Sequence, residues 1–381
     1  MEPKLRFKEF SGDWEEKKLG DIFNISAGGD IDSNRCSKEK TKSNIYPIYA
    51  NSIEKSGLYG YSDIYKVEGP CITVTARGNI GFAIPRNEKF YPIVRLLVLK
   101  PREKLNTKFF SECINLTNIL IESTGVSQLT SPQMSKVKVK YTSLPEQSKI
   151  ADFLSTVDEK IQNQQDKITH LENIKKGFMQ KIFSRKIRFK DDTGNEFPEW
   201  EEKKLGHRVE EYNFKTIKQN QYPILSSTKS GIYLQSEYFN KQAASENTLG
   251  YKIVPKGYFT YRSMSDTGEF TFNIQNIINN GIISPAYPVF KTDKDNSIFL
   301  QLLLNNSNFI KKQLLVLKEG GTRYALSFEK FCKLKVFIPC LEEQEKIADF
   351  ISLFDEKIDV EKDTLEHLKE MKKGLLQQMF V

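Results

Sequence analysis

The sequence predicts an α+β protein built twice over. Two globular bodies of mixed sheet and helices are separated by two long helices that form an antiparallel coiled coil, a pseudo-twofold tandem repeat. Three observations predict it. Pro145–Phe183 (PEQSKIADFLSTVDEKIQNQQDKITHLENIKKGFMQKIF) returns as Glu342–Phe380, each residue aligning without a gap to the one 197 positions later. The lead-in Leu5–Phe23 returns near Ile187–Gly206, with WEEKKLG unchanged at Trp14–Gly20 and Trp200–Gly206 after a four-residue insertion. Both long segments also carry apolar residues at alternating steps of four and three, the period of a coiled-coil seam.

The order along the chain is lead-in, body, long helix, then the same again, a repeat to be found before any fold is assigned. The reading divides the chain into 1–144 (first body), 145–186 (first long helix), 187–341 (second body) and 342–381 (second long helix). The first seam is Ile150, Leu154, Val157, Ile161, Ile168, Leu171 and Phe178. The second is Ile347, Ile351, Phe354, Ile358, Leu365, Leu368 and Leu375. Each is interrupted at the same two places, Gln164/Glu361 and Lys175/Lys372. A polar residue on a seam weakens packing but fixes register. After the first helix the chain continues as KIRF, and the second helix would continue naturally into KLRF at Lys4–Phe7. A pseudo-twofold axis therefore predicts that Val381 lies near the N-terminus.

Both bodies read as strands followed by a helix, a glycine turn and a last strand. In the first, the strands are expected in Tyr46–Ser52 and Cys71–Ile84, with a helical run near Lys108–Glu122. In the second they are expected in Tyr222–Thr228 and Tyr258–Met264, with a helical run at Ser297–Val316. KVKVKYTSLP and KLKVFIP then lead into the long helices, where Pro145 and Pro339 suit a junction whose first turn needs no N–H donor.

With 381 residues the chain exceeds one ordinary core. A net charge of +8 favours an anionic partner without requiring one. The five cysteines form no CxxC pair or metal spacing, which reads as free thiols in a reducing cytosol. The longest apolar runs, around Val94–Leu99 and Ile298–Leu304, have the size of buried strands or helices. A cytoplasmic protein with no membrane role is expected.

Motifs for catalysis are missing from the sequence: there is no phosphate loop, HExxH, GxSxG elbow or methyltransferase signature. His170 and His367 occupy matching off-seam positions, and His207 stands alone. What remains suits groove reading. Arg77 in TARGNIG and Arg262 in TYRSMSD follow expected strands, and arginine pairs bidentately with guanine as Asn and Gln do with adenine. By loop position and side-chain chemistry, DNA contacts are assigned to Asn51, Ser52, Lys55, Arg77, Asn79, Gln128, Thr130 and Lys136 in the first body. In the second they are assigned to Ser227, Thr228, Lys229, Arg262, Ser263, Thr322, Arg323 and Tyr324. Taken singly, each of these is by default a turn or a solvated side chain.

Two diverged bodies, each preceded by a WEEKKLG lead-in and followed by an EQ…KIADF…DEKI…KKG helix, resemble the specificity subunit of type I restriction–modification systems over essentially the whole chain. The resemblance implies that the bodies are target recognition domains, each reading half of a bipartite site in double-stranded DNA. It implies that the helices space them, that two modification subunits dock on the assembly, and that restriction subunits complete the enzyme. AdoMet, ATP and Mg²⁺ would be used by those partners, with no cofactor, metal or active site on this chain. A helix of about 34 residues is about 50 Å long, enough to hold two readers about one DNA turn (34 Å) apart. Unlike bodies imply an asymmetric site. Asp158/Asp355 and Lys175/Lys372 are matched charges that could serve a shared docking surface. Two other readings compete: a self-contained enzyme acting on DNA, and a coiled-coil adaptor whose two domains bind protein.

Overall fold

The four–three spacing of apolar residues produces the two longest elements, the helices Leu144–Phe183 and Leu341–Phe380. They are seen in a computed structural model that describes residues 3–117, 119, 128–238, 247–316 and 324–380. The chain forms two compact units, Met1–Gln165 with Asp363–Val381, and Asp166–Lys362. Each long helix thus contributes half its length to each unit.

In the first unit, strands Phe23–Ala27, Leu97–Pro101, Cys71–Val74 and Ala83–Arg86 form an antiparallel sheet in that spatial order. The Cys71–Ile84 run is a hairpin, and Arg77 and Asn79 lie in its loop, after its first strand. A second, five-stranded sheet is mixed, with Tyr46–Tyr49 parallel to Lys89–Pro92. The WEEKKLG segment gives strand Glu15–Lys18, antiparallel to Lys138–Tyr141. Helix Thr107–Leu116 begins where the Asn106 side chain accepts the Phe109 N–H, and it buries Phe109, Phe110 and Ile114. Ile150, Ala151 and Leu154 of the first long helix join the same core as Met379 and Phe380 of the second.

The second unit repeats the four-stranded sheet in the same spatial order but not the five-stranded one. Glu210–Glu211, Val289–Lys291, Phe259–Tyr261 and Phe272–Ile274 form four strands, and Glu201–Lys204 pairs with Lys335–Ile338 as its counterpart does. In place of a five-stranded sheet there are two-stranded ribbons, among them Leu225–Thr228 with Gly231–Leu234. The helical run expected at Ser297–Val316 is two helices, Ser297–Asn306 and Asn308–Val316. Asn306 bonds the Leu302 carbonyl, and such short polar side chains compete with the helical backbone for its partners. Pro145 lies in the first turn of its helix, whereas Pro339 precedes the other and offers its carbonyl to Gln344.

The lead-ins are held by matching contacts. Arg6 donates from Nε and one Nη to the buried Glu146 at 2.7 and 2.9 Å. Arg188 does the same to Glu343 at 2.8 and 3.0 Å. Gln147 and Gln344 each accept the N–H of the asparagine that caps the body helix, Asn106 or Asn296. Trp14, Phe109 and Phe380 cluster in one unit, and Trp200, Phe299 and Phe183 in the other. The Ile187 N–H donates to the Lys181 carbonyl at 3.3 Å, and the Leu5 N–H donates to Gln378, the matching position of the second helix, at 2.9 Å. A contact that is local in one copy thus joins the start of the chain to its last helix in the other. Val381 itself lies outside the described residues.

Ile150, Leu154, Val157, Ile168, Leu171, Ile347, Ile351, Ile358 and Leu365 are buried, and Ile161, Phe178, Phe354, Leu368 and Leu375 are half-buried. Within each unit the helix segments run antiparallel: in the second, Phe178 meets Phe350 and Phe354, Lys175 meets Asp355, and Lys167 meets Glu361. In the first, Lys372 meets Asp158 at 2.6 Å. The matched charges that the sequence offered as a docking surface are therefore partners of one another across the helices. The first unit enlarges its pair into a network, since Lys108 bridges Asp158 and Glu112 and Lys372 reaches Glu112 at 3.4 Å. Burial alone would raise the Asp158 carboxyl, but hydrogen bonds from Lys108 and Lys372 outweigh it and hold the group below its ordinary value.

Candidate nucleic-acid interface

In the first body the hairpin loop after Cys71–Val74 is closed by its own polar atoms. The Thr75 hydroxyl donates to the Asn79 carbonyl, and the Gly81 N–H donates to the Thr75 carbonyl at 2.8 Å. Gly78 and Gly81 have φ of +69° and +88°, a conformation that costs glycine little. Arg77 stands exposed on this loop and donates from Nε and Nη2 to Gln128 Oε1 at 3.0 and 2.7 Å. Beside it, Asn51 Oδ1 accepts the Ala76 N–H at 2.7 Å, and its Nδ2 donates to the Val94 carbonyl. The structure brings Asn51, Arg77 and Gln128 together, with Asn79 in the same loop.

The other residues assigned in this body have local duties or stand apart. The Ser52 hydroxyl accepts the Glu54 N–H. Thr130 caps the short helix Ser131–Ser135 in a reciprocal box with Gln133. Lys55 and Lys136 are exposed, and neither makes an ion pair among the described residues. Lys55 has φ of +47°.

In the second body, Arg262 and Ser263 lie between strands Phe259–Tyr261 and Met264–Ser265, and the latter pairs with Tyr324–Ala325. Ser227, Thr228, Lys229 and Arg262 line one cavity of about 300 Å³ together with Ser265, Thr267 and Glu269. Asn273 donates to the Ser227 hydroxyl at 2.9 Å and the Thr228 carbonyl at 2.8 Å, fixing that wall. Lys229 pairs with Glu269 at 3.0 Å, and its hydrogen bond holds the Glu269 carboxyl below the usual range. Tyr324 sits on the adjoining ribbon, and Ser263 immediately precedes that ribbon. Thr322 and Arg323 lie outside the described residues.

The Leu129 N–H donates to the Ala76 carbonyl at 2.9 Å, and the Leu326 N–H to Ser263 at 2.8 Å. These leucines match in the repeat, yet Arg77 follows its contact while Arg262 precedes its own. The two arginines are placed differently on a shared support.

Sequence reasoning missed Arg95 and Asn273. Val94 and Arg95 adopt φ of +51° and +60°, and Val94 is 44% exposed. An apolar run reads as buried strand, so nothing in Val94–Leu99 signals a left-handed turn at its start. Asn273 lies inside a strand, and only the fold reveals what it touches.

The described residues contain no group of His, Cys, Asp and Glu placed to hold a metal ion, and none of their helices is long and apolar enough to cross a membrane. All five cysteines are free, and burial pushes the Cys71 thiol up to about 12, leaving it protonated at neutral pH. His170, His207 and His367 are exposed.

The family model for the type I restriction modification DNA specificity domain matches the sequence twice, over residues 11–173 and 198–370. A putative type I specificity subunit of Mycoplasma pneumoniae is 34% identical over 138 residues, 36% of this chain and 38% of the relative, so the chain spans well under half of that relative's length. A putative type I restriction enzyme specificity subunit of Methanocaldococcus jannaschii is 24% identical over 98% of this chain and 94% of its own. Among solved structures, the S subunit of a type I restriction–modification system from M. genitalium has a similar fold, with a TM-score of 0.58 at 17% identity over 100% of this chain and 99% of that one.

Proposed function

The chain belongs to the type I restriction modification DNA specificity family, and from that premise we propose that it is the sequence-reading subunit of a type I restriction–modification complex. Its partners are double-stranded DNA, two modification subunits and, in the full enzyme, restriction subunits. Residues 1–144 and 187–341 act as target recognition domains, each reading half of an asymmetric bipartite site. The long helices 145–186 and 342–381 set the unread spacer and dock the modification subunits. AdoMet, ATP and Mg²⁺ work on those partners, in the bacterial cytoplasm, and this chain supplies specificity without an active site of its own.

One observation carries this reading: equal frames hold unequal faces. The Arg–Glu, Gln–Asn and Trp–Phe–Phe supports and the four-stranded sheet recur, while the arginines stand at different places and a five-stranded sheet in one body is replaced by two-stranded ribbons in the other. Two such faces suit two different half-sites. The assigned side chains that gather on each face, with Arg77 and Gln128 in one and Lys229 and Arg262 in the other, are of the types that contact base edges and phosphates.

The test is to reconstitute the chain with its modification subunit and map the methylated adenines. A gapped, two-part motif that vanishes without this chain is expected. Binding should weaken steeply as salt rises, because phosphate contacts release counterions. A chain that ignores DNA at every salt concentration would be an adaptor instead.

A further inference from the structure

We propose that the first body reads its half-site with two arginines, Arg77 and Arg95, and that Asn51 is the positioning residue that sets them together rather than a base reader itself. The proposal rests on the DNA-reading function above. Both ends of the Asn51 amide are engaged: Oδ1 holds the Ala76 N–H and Nδ2 holds the Val94 carbonyl. Each of those backbone groups immediately precedes an arginine, so a single side chain ties the two arginine-bearing loops at adjacent points. With one Oδ1 lone pair and one Nδ2 hydrogen committed to backbone in two loops, the Asn51 amide is fixed in place as a clamp.

The loop that carries Arg95 is built with unusual care. Val94 and Arg95 are both left-handed, which a β-branched residue adopts only when its surroundings impose it. Their N–H groups donate to the Gly29 and Gly28 carbonyls at 3.0 and 3.1 Å. A Cβ on Gly28 would lie 2.7 Å from the Pro92 backbone, so this close approach requires glycine. The result is an exposed Arg95 whose guanidinium makes no hydrogen bond or ion pair among the described residues.

Arg6 and Arg35, by contrast, are ion-paired, and Arg86 is buried against Tyr49. Arg77 is held by a neutral partner only. Gln128 takes its Nε and one Nη hydrogen, leaving the Nη1/Nη2 edge free for the O6 and N7 of a guanine. A contact needing only positive charge gains little from a fixed backbone, since lysine binds phosphate as a point charge. Pre-set placement matters for a planar fork that must meet a base edge, so Arg95 is assigned to a base.

The experiment uses the full chain in its complex with the modification subunit, measuring methylation of duplexes randomised within the bipartite site. Arg95→Ala and Arg95→Lys should both relax the same base position of one half-site, by about tenfold or more. The other half-site and the unfolding midpoint should stay unchanged, as suits an exposed side chain. Asn51→Ala should relax the positions read by Arg77 and Arg95 together, whereas a merely weakened fold would lower methylation at all sequences alike. Wild-type preference in Arg95→Lys, or in Arg95→Ala, would overturn the assignment. If the wild-type complex showed no sequence preference at all, the proposed function would have failed before this inference was reached.

Discussion

Arg6 holds Glu146 and Arg188 holds Glu343 with the same atoms and nearly the same distances, yet beyond the shared four-stranded sheet the two bodies diverge. The first carries a mixed five-stranded sheet and an asparagine clamp; the second carries ribbons around a cavity lined by Ser227, Thr228, Lys229 and Arg262. Even the matched charges diverge in use. Asp158 and Lys372 join a four-member network with Lys108 and Glu112, whereas Ile298 and Leu302 stand in the second body at the positions of Lys108 and Glu112. The contrast teaches where duplication is retained. Residues that position a body on the long helices are fixed by shared geometry, and residues on the exposed loops are free to differ.

The largest effect expected on this comparison comes from the buried carboxylates. Glu146→Ala and Glu343→Ala each remove the buried carboxylate that pairs with a mostly buried guanidinium, at a cost of about 3 kcal/mol. Urea unfolding should show similar losses for both, and a large inequality would break the symmetry argued here. A smaller loss is expected at the glycines of WEEKKLG. A Cβ on Gly20 would lie 2.8 Å from Ser135 Cβ, and one on Gly206 would lie 3.0 Å from Cys332 Cβ. Gly20→Ala and Gly206→Ala should each cost about 1–3 kcal/mol, again read by unfolding, with Gly20 the more sensitive.

Acid should separate the units by the smallest margin. Burial pushes the Glu146 carboxyl up, but hydrogen bonds from Arg6 and Thr142 overcome it and hold the group below its ordinary value, as the two lysines do for Asp158. A carboxylate depressed in the folded state stabilises it above the unfolded pKa, near 4, and loses that contribution as pH falls through the folded value. Asp158→Asn should therefore flatten the stability loss below about pH 4 relative to wild type. An unchanged slope in the variant would remove the network from the account.

Much of the frame was legible in the chain. The gap-free repeat marked the long helices, the four–three step marked their buried stripe, and the KLRF/KIRF likeness pointed to a last helix that ends near the N-terminus, the helix in which Gln378 accepts the Leu5 N–H. The partners of the matched charges were not legible, because an offset of 197 finds equivalent residues while antiparallel helices pair inequivalent ones. The candidate interface was visible only by chemistry. Arg77 and Arg262 sit in loops as read, but the clamp through Asn51 and the left-handed turn at Val94–Arg95 depend on loops distant in sequence, which no local pattern encodes. The parallel pairing of Tyr46–Tyr49 with Lys89–Pro92 is hidden for the same reason.

The separation of a common frame from individual faces is tested most directly by exchanging the first body for that of another family member and mapping methylated adenines in cells carrying each version. The account predicts that one half of the gapped motif changes while the other half and the spacer remain. A motif altered in both halves, or in neither, would contradict it.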